Sequence, residues 1–236
     1  MYASILFVML ITAHFLGDFV FQSDKMVAEK KNSTKALLKH AAIITLITLI
    51  ITCSLNPLLY AAVFGLHFAV DKFKAWKFGD TMAVFFIDQA AHITASAVIT
   101  IAFRDFAHCL LPGQFSSYPQ MLVIICGLVL CVSAGSVIVE KFTIQFLKQI
   151  ENPQSKGLIN GGRTIGNLER ALTFLLIMFG QPAAIGFLFA AKSILRFGEI
   201  KEPGQRKEAE YIIIGTFASF GWAMLISFTT KIVIGM

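Results

Sequence analysis

The sequence predicts an all-α fold: a polytopic transmembrane bundle of about eight helical spans with both termini on the outer side. Three observations predict it. Of 236 residues, 56% are hydrophobic and only 14% charged, with a mean hydropathy of +0.73, where soluble domains carry about 25% charged residues. Apolar runs near the roughly 20 residues that cross a bilayer recur along the whole chain. Lysine and arginine gather in alternate loops, as they do in a chain threaded back and forth through a membrane.

The first span covers residues 2–23. It lacks a basic leading segment and a small-residue cleavage site, and it holds His14 and Asp18, so it reads as a retained helix rather than a signal peptide. A lysine-rich loop leads to the second span, 36–55, and Pro57 separates that from the third, 58–76. The fourth span covers 80–104. A polar loop containing Pro112-Gly113 precedes the fifth span, 120–140, whose continuation KFTIQFLKQI extends the helix or lies along the interface. Asn152-Pro153 and Gly161-Gly162 mark the next loop; the sixth span covers 164–180. Gln181-Pro182 breaks the chain before the seventh, 183–198, and the eighth covers 209–231. The odd-numbered loops carry the lysines and arginines and are therefore cytoplasmic; of 20 basic residues, only Arg104 and Lys231 are assigned outside. The net charge of +6 thus reports loop sidedness, not nucleic-acid binding.

Residues 1–236 read as a single integral membrane domain with a His/Asp-rich half, 1–108, and an Arg/Lys/Glu-rich half, 120–236. No internal repeat is visible, which argues against an inverted-repeat transporter. The four cysteines lack CxxC spacing. Cys126 and Cys131 read as packing residues, while Cys53 and Cys109, both near the outer face, permit a disulfide. Small residues such as Gly17, Ala69 and Gly135 suit close helix packing.

Three histidine–aspartate pairs, each four residues apart, sit in the first half: His14/Asp18, His67/Asp71 and Asp88/His92, with His40 in the remaining span. Residues four apart share a helix face, and ionisable groups inside a membrane pair, bind an ion or line a watery cavity. With the predicted topology, each aspartate lies nearer the cytoplasm and each histidine one turn deeper. Most of the set falls roughly 5–14 Å below the inner surface at about 1.5 Å per residue, with His92 deeper and His40 near the mouth. Imidazole with carboxylate suits zinc, manganese or iron rather than calcium. His14, Asp18, His67, Asp71, Asp88, His40 and His92 are therefore the candidate metal ligands, enough for a two-metal centre or for one ion plus orienting groups. The bland alternative is a set of buried ion pairs. Histidines on four helices also suit axial haem ligation, but the companion aspartates would have no role there.

The second half supplies Arg163, Asn167, Glu169 and Arg170 in GGRTIGNLER, then Lys192 and Arg196 four residues apart. These read either as snorkelling anchors and ion-pair partners of nearby glutamates or as an anion pocket for a phosphate or lipid head group. His108, in the fourth loop, is excluded from the site. Gln22, Asn32 and Gln89 are uninformative alone.

The runs AHFLGDFVFQSDKMVAEKKNS, HFAVDKFK and FFIDQAAH, with GNLERALTFLL, AAKSILRFGEI and EYIIIGTFAS, resemble an uncharacterised bacterial and phage membrane-protein family, domain of unknown function 3307. The resemblance implies a polytopic inner-membrane protein and no specific activity. More loosely, the HxxxGD element (His14, Gly17, Asp18) is similar to membrane-bound metal-dependent hydrolases.

These readings lead to a metal-dependent hydrolase in the cytoplasmic leaflet, acting on an amphipathic phosphate-bearing substrate such as a phospholipid or prenyl phosphate. A divalent metal is the expected cofactor, and Asp88 is the expected general base when not a ligand. Arg170, Lys192 and Arg196 would hold the phosphate. The alternative is a transporter or channel for a divalent cation or small anion, against which the outer halves of the spans read as almost wholly apolar. A third reading is a scaffold whose polar residues only lock helices together. The bilayer is the expected partner, and nucleic acid is not.

Overall fold

A computed structural model describes residues 2–104, 117–150, 160–197 and 206–235. Regular structure among them is entirely helical: α1 (Tyr2–Phe19), α2 (Asp24–Lys30), α3 (Thr34–Thr52), α4 (Pro57–Lys77), α5 (Met82–Ala102), α6 (Tyr118–Val129), a π-helical segment (Leu130–Ala134), α7 (Gly135–Leu147), α8 (Gly161–Met178), α9 (Ala184–Phe197) and α10 (Arg206–Val233). A helix lies at each of the eight predicted positions. Four of them are long and apolar enough to cross a membrane: Thr34–Thr52, Met82–Ala102, the continuous stretch Tyr118–Leu147, and Arg206–Val233. The bent pair Ser4–Phe19 and Asp24–Lys30 makes a fifth if it counts as one span.

Eight spans are therefore more than length and composition support, and the reasons are local. Helix α4 carries Asp71, Lys72 and Lys74 near its end, and α8 carries Arg163, Glu169 and Arg170 within one 18-residue helix. Helix α9, with 14 residues, is only about 21 Å long at ~1.5 Å per residue, short of the ~30 Å hydrocarbon core. The first span also ends earlier than predicted. It stops at Phe19, and after a 95° bend the chain re-enters helix as α2, where the sequence predicts a loop. Ser23 caps α2 by accepting from Met26 N, and Met26 buries on its inner side.

The chain divides into two compact units, Met1–Val129 and Leu130–Met236, with the boundary inside the Tyr118–Leu147 stretch rather than in the preceding loop. In the first unit α1 packs on α3, α3 on α4, α4 on α5 and α5 on α1, which closes a ring of four helices. Helix α6 lies against α1. Side-chain caps set three of the starts: Ser33 on α3, Asn56 ahead of Pro57 on α4, and Thr81 on α5. Leu6, Met9, Leu10, Ala13, Ile44, Ile47, Ile51, Leu59, Val63 and Ile99 fill the core towards one end of the ring. Gly17 allows α1 and α3 to touch, since a Cβ there would collide with the Ile44 side chain.

In the second unit α10 packs on α7 and α8, and α8 on α9, around Ile177, Ile185 and Phe220. A π-segment has a widened turn that releases carbonyls from the helical ladder. Two are taken up here: Leu130 O accepts from Trp222 Nε1 at 2.9 Å, and Val132 O from Arg170 Nε at 3.3 Å.

Candidate metal centre

All seven His and Asp candidates converge at one end of the four-helix ring. His14 and Asp18 come from the end of α1, His40 from the start of α3, His67 and Asp71 from the end of α4, and Asp88 and His92 from the start of α5. Alternating chain direction brings these helix ends to one level, and the four-residue spacing turns each pair inward. All seven are buried or nearly so. The imidazoles form one contiguous group: His67 lies 4.4 Å from His92 and 4.9 Å from His40, and His14 stacks on His92 at 4.8 Å between ring centroids.

Hydrogen bonds fix which ring nitrogens carry protons. Asp88 O can only accept, so His92 Nδ1–H donates to it at 2.9 Å and Nε2 is left with its lone pair. The Gln89 amide nitrogen faces Asp18 Oδ2 and Asp88 Oδ2, each at 3.4 Å, so its Oε1 accepts from His14 Nε2–H at 3.2 Å. That leaves His14 Nδ1 as a lone pair. His40 Nε2–H donates to Asp18 Oδ1 at 3.0 Å. A ligand histidine that donates its other N–H to a carbonyl or carboxylate is the usual arrangement in metal sites.

The remaining atoms have no hydrogen-bond partner among the described residues: His14 Nδ1, His40 Nδ1, His67 Nε2, His92 Nε2 and Asp88 Oδ1. Asp71 Oδ2 also lacks hydrogen-bond geometry, although Lys30 Nζ lies 2.6 Å away. At that separation the ion pair holds regardless of angle, because Coulomb attraction depends on distance. His67 Nε2 is 3.7 Å from both Asp18 Oδ1 and Asp71 Oδ2, and His92 Nε2 is 3.8 Å from Asp71 Oδ1. Neighbouring ligands around a tetrahedral ion with bonds of ~2.0–2.1 Å lie about 3.3 Å apart, so these gaps need close by only a few tenths of an ångström. Three overlapping triads have metal-ligand spacing: His14/Asp18/His67, His40/His67/Asp71 and Asp71/Asp88/His92. Asp71 belongs to two of them, with Oδ2 towards His40 and His67 and Oδ1 towards His92.

Four further residues complete the centre. Gln89 bridges three of its members. Lys74 Nζ donates to Asp88 Oδ2 at 2.7 Å, and Lys30 pairs with Asp71. Gln22, with its amide turned to satisfy both neighbours, donates to Asp18 O and accepts from Lys30 Nζ at 2.9 Å. Helical spacing signals Lys74, three residues after Asp71 and seven after His67 on α4; Lys30 and Gln22 reach the centre through the bend before α2.

A cavity of about 20 Å³, room for one water, adjoins the centre between His14, His67 and His92 on one side and Thr48 and Ser96 on the other. Beyond it lie Thr52 and Thr100, also buried. The outer halves of α3 and α5 are thus not wholly apolar on their inner face. Asp88, His92, Ser96 and Thr100 form one four-residue ladder along α5, and His40, Thr48 and Thr52 share a face of α3. Span-averaged hydropathy hides a stripe one residue wide.

The candidate anion residues of the second half have partners of their own. Arg170, 3% exposed, donates to Val132 O, Ser219 Oγ, Ser136 Oγ and Asn167 Oδ1. Gly135 and Gly166 leave room for its guanidinium. Lys192 pairs with Glu169 at 2.7 Å. Arg170, Asn167, Glu169 and Lys192 thus bind one another or their own unit, and Lys192 also lines a cavity of about 60 Å³ with Ser193 and Thr216. Arg163 is exposed on the first turn of α8. The Arg196 side chain, His108 and Cys109 lie outside the described residues.

The sequence profile of a family described as a protein of unknown function, DUF3307, matches residues 6–111. That stretch of the chain is similar to the DUF3307 family. It contains every residue of the candidate metal centre, including Gln22, Lys30, Lys74 and Gln89, whereas the resembling runs after residue 160 lie outside it. No curated protein and no solved structure matches the chain.

Proposed function

We propose that the DUF3307-like region binds one or two divalent transition-metal ions and that the protein is a membrane-embedded, metal-dependent hydrolase. One observation carries the reading: five buried ring nitrogens and carboxylate oxygens lack hydrogen-bond partners among the described residues, and their residues fall in three triads with metal-ligand spacing. Each buried unsatisfied group costs about 1–3 kcal/mol, so five cost roughly 5–15 kcal/mol, as much as the stability of a whole domain. A bound cation satisfies them together. Were two ions bound, Asp71 would be a ligand common to two of the three triads, and His67 would link the third to them.

A metal ion supplies a water of lowered pKa and a Lewis acid for a phosphoryl oxygen. The chain's own residues do the rest. His92 and His14 are held in the ligating tautomer by Asp88 O and Gln89. Asp88, paired with Lys74 through Oδ2, would hold the ion through Oδ1 or, where it is not a ligand, act as the general base. The proposed substrate is amphipathic and phosphate-bearing, of the phospholipid or prenyl phosphate class. The proposed setting is the bacterial inner membrane, with both termini outside and the centre opening to the cytoplasm, as the alternation of basic loops implies.

Transport of a divalent cation is the second reading, favoured by the hydroxyls of Thr48, Thr52, Ser96 and Thr100. Each donates its proton to a carbonyl four residues back, which leaves oxygen lone pairs facing the ring interior. Elemental analysis of protein purified in detergent without chelators tests the common premise: at least one equivalent of zinc, manganese or iron is expected, and less than about a tenth refutes it. Metal uptake into proteoliposomes then separates the readings, because an enzyme gives none.

A further inference from the structure

Lys30 and Lys74 lie at the rim of the centre, each paired with one of its carboxylates. Lys30 closes α2 and Lys74 follows Asp71 by three residues on α4. Their side chains are 14% and 36% exposed, against 3% and 4% for the carboxylates they hold, Asp71 and Asp88. The lysine side chains are thus the more exposed partner of each pair.

Charge decides what such a solute must be. Asp18, Asp71 and Asp88 contribute three negative charges and the two lysines two positive, while imidazoles acting as ligands are neutral. The cluster thus carries one net negative charge. A single divalent ion turns this into one net positive charge, and two ions into three. Buried net charge without a partner is strongly unfavourable, so the loaded centre demands an anion. A cation at Asp71 competes with Lys30 for Oδ2, while at Asp88 it can use Oδ1 and leave Oδ2 to Lys74. Lys30 keeps an anchor through Gln22 Oε1, and both ammonium groups stay beside the ion with donors to spare.

We infer that Lys30 and Lys74 are the anion-recognition residues of the centre: they hold the phosphoryl oxygens of a phosphate ester whose remaining oxygen binds the metal. The inference rests on the metal reading of the same site. It moves phosphate recognition from Arg170 and Lys192, which are engaged by protein groups, to two lysines inside the DUF3307-like region. Tetrahedral phosphate is the shared chemistry, whether free or carried on a lipid.

The test uses full-length protein in detergent loaded with Mn²⁺, and reads paramagnetic broadening of the ³¹P signal from inorganic phosphate and, separately, from a short-chain phosphatidic acid. Loaded wild type is expected to broaden at least one of them, and metal-free protein neither. Broadening by both assigns the site to phosphate as such; broadening of the lipid alone assigns it to a head group. Lys30→Met and Lys74→Met should keep bound manganese yet weaken the anion at least tenfold, and Lys74→Arg should restore most of it. Bound manganese without broadening of either probe overturns the inference and leaves the metal reading intact, as do methionine variants with unchanged anion affinity. Failure to bind manganese, zinc or iron removes the metal reading, and the inference falls with it. The wild-type arms decide whether the loaded centre takes a phosphate, and the lysine variants decide whether Lys30 and Lys74 hold it.

Discussion

Replacing Asp71 by asparagine separates the two roles this residue plays. It is 3% exposed, and its oxygens lie 3.7–3.8 Å from ring nitrogens of His40, His67 and His92, with Lys30 Nζ at 2.6 Å. The asparagine keeps the shape and loses the charge. Removing one partner of a buried ion pair costs about 3–5 kcal/mol, which in a chain of this size lowers the melting temperature by roughly 6–20 °C. The cost arises because Lys30, 14% exposed, keeps its charge without a counter-ion. The double variant Asp71→Asn/Lys30→Met removes both charges and should recover most of that loss. Metal affinity should behave differently. Even groups that only orient ligands change affinity by about 10–100-fold, so loss of a ligand shared by two triads should exceed roughly 100-fold in both variants. Thermal unfolding followed by size-exclusion fluorescence gives the first quantity, and titration with zinc followed by elemental analysis the second. A stable double variant that still binds metal with wild-type stoichiometry and affinity would refute the ligand role of Asp71 and the two-ion arrangement built on it.

Three further outcomes are expected. Gly17→Val forces α1 off α3 at Ile44 and displaces the adjoining Asp18; overpacking of this kind costs about 1–3 kcal/mol, and zinc titration should show weakened binding. Arg170→Met strands Val132 O and removes the donor to Ser219 Oγ, Ser136 Oγ and Asn167 Oδ1 in the second unit, so chemical denaturation should show a loss of about 2–5 kcal/mol while metal stoichiometry at the centre stays unchanged. Accessibility labelling of single cysteines placed at either terminus should report the outer side, and inner-side labelling of both would overturn the proposed orientation.

Helix positions and the inward direction of each His/Asp pair were legible because both follow from local rules. Apolar run length sets where a helix forms, and a spacing of four puts Asp88 under His92 whatever surrounds them. The same spacing extends to Ser96 and Thr100, but weak hydroxyl signals vanish in an apolar average. Lys30 and Gln22 were not legible as site residues. Their approach depends on the bend after Phe19 and on a short helix capped by Ser23, and the sequence around them reads as a basic loop. Arg170 misled for a related reason. An arginine at a membrane mouth suggests an open anion site, yet a widened π-turn and two serines supply acceptors for it inside its own unit.

Composition and periodicity alone determined that this chain is helical, membrane-compatible and furnished with three histidine–aspartate pairs and His40 in the spans of its first half. Only packing decided that those side chains gather at one end of the ring, that Asp71 faces His40, His67 and His92, and that Lys30 and Lys74 pair with Asp71 and Asp88. The reason is the range of the forces involved: hydrophobic patterning acts within a helix and is written residue by residue, whereas a coordination shell spans four helices and exists only once α1, α3, α4 and α5 have closed their ring.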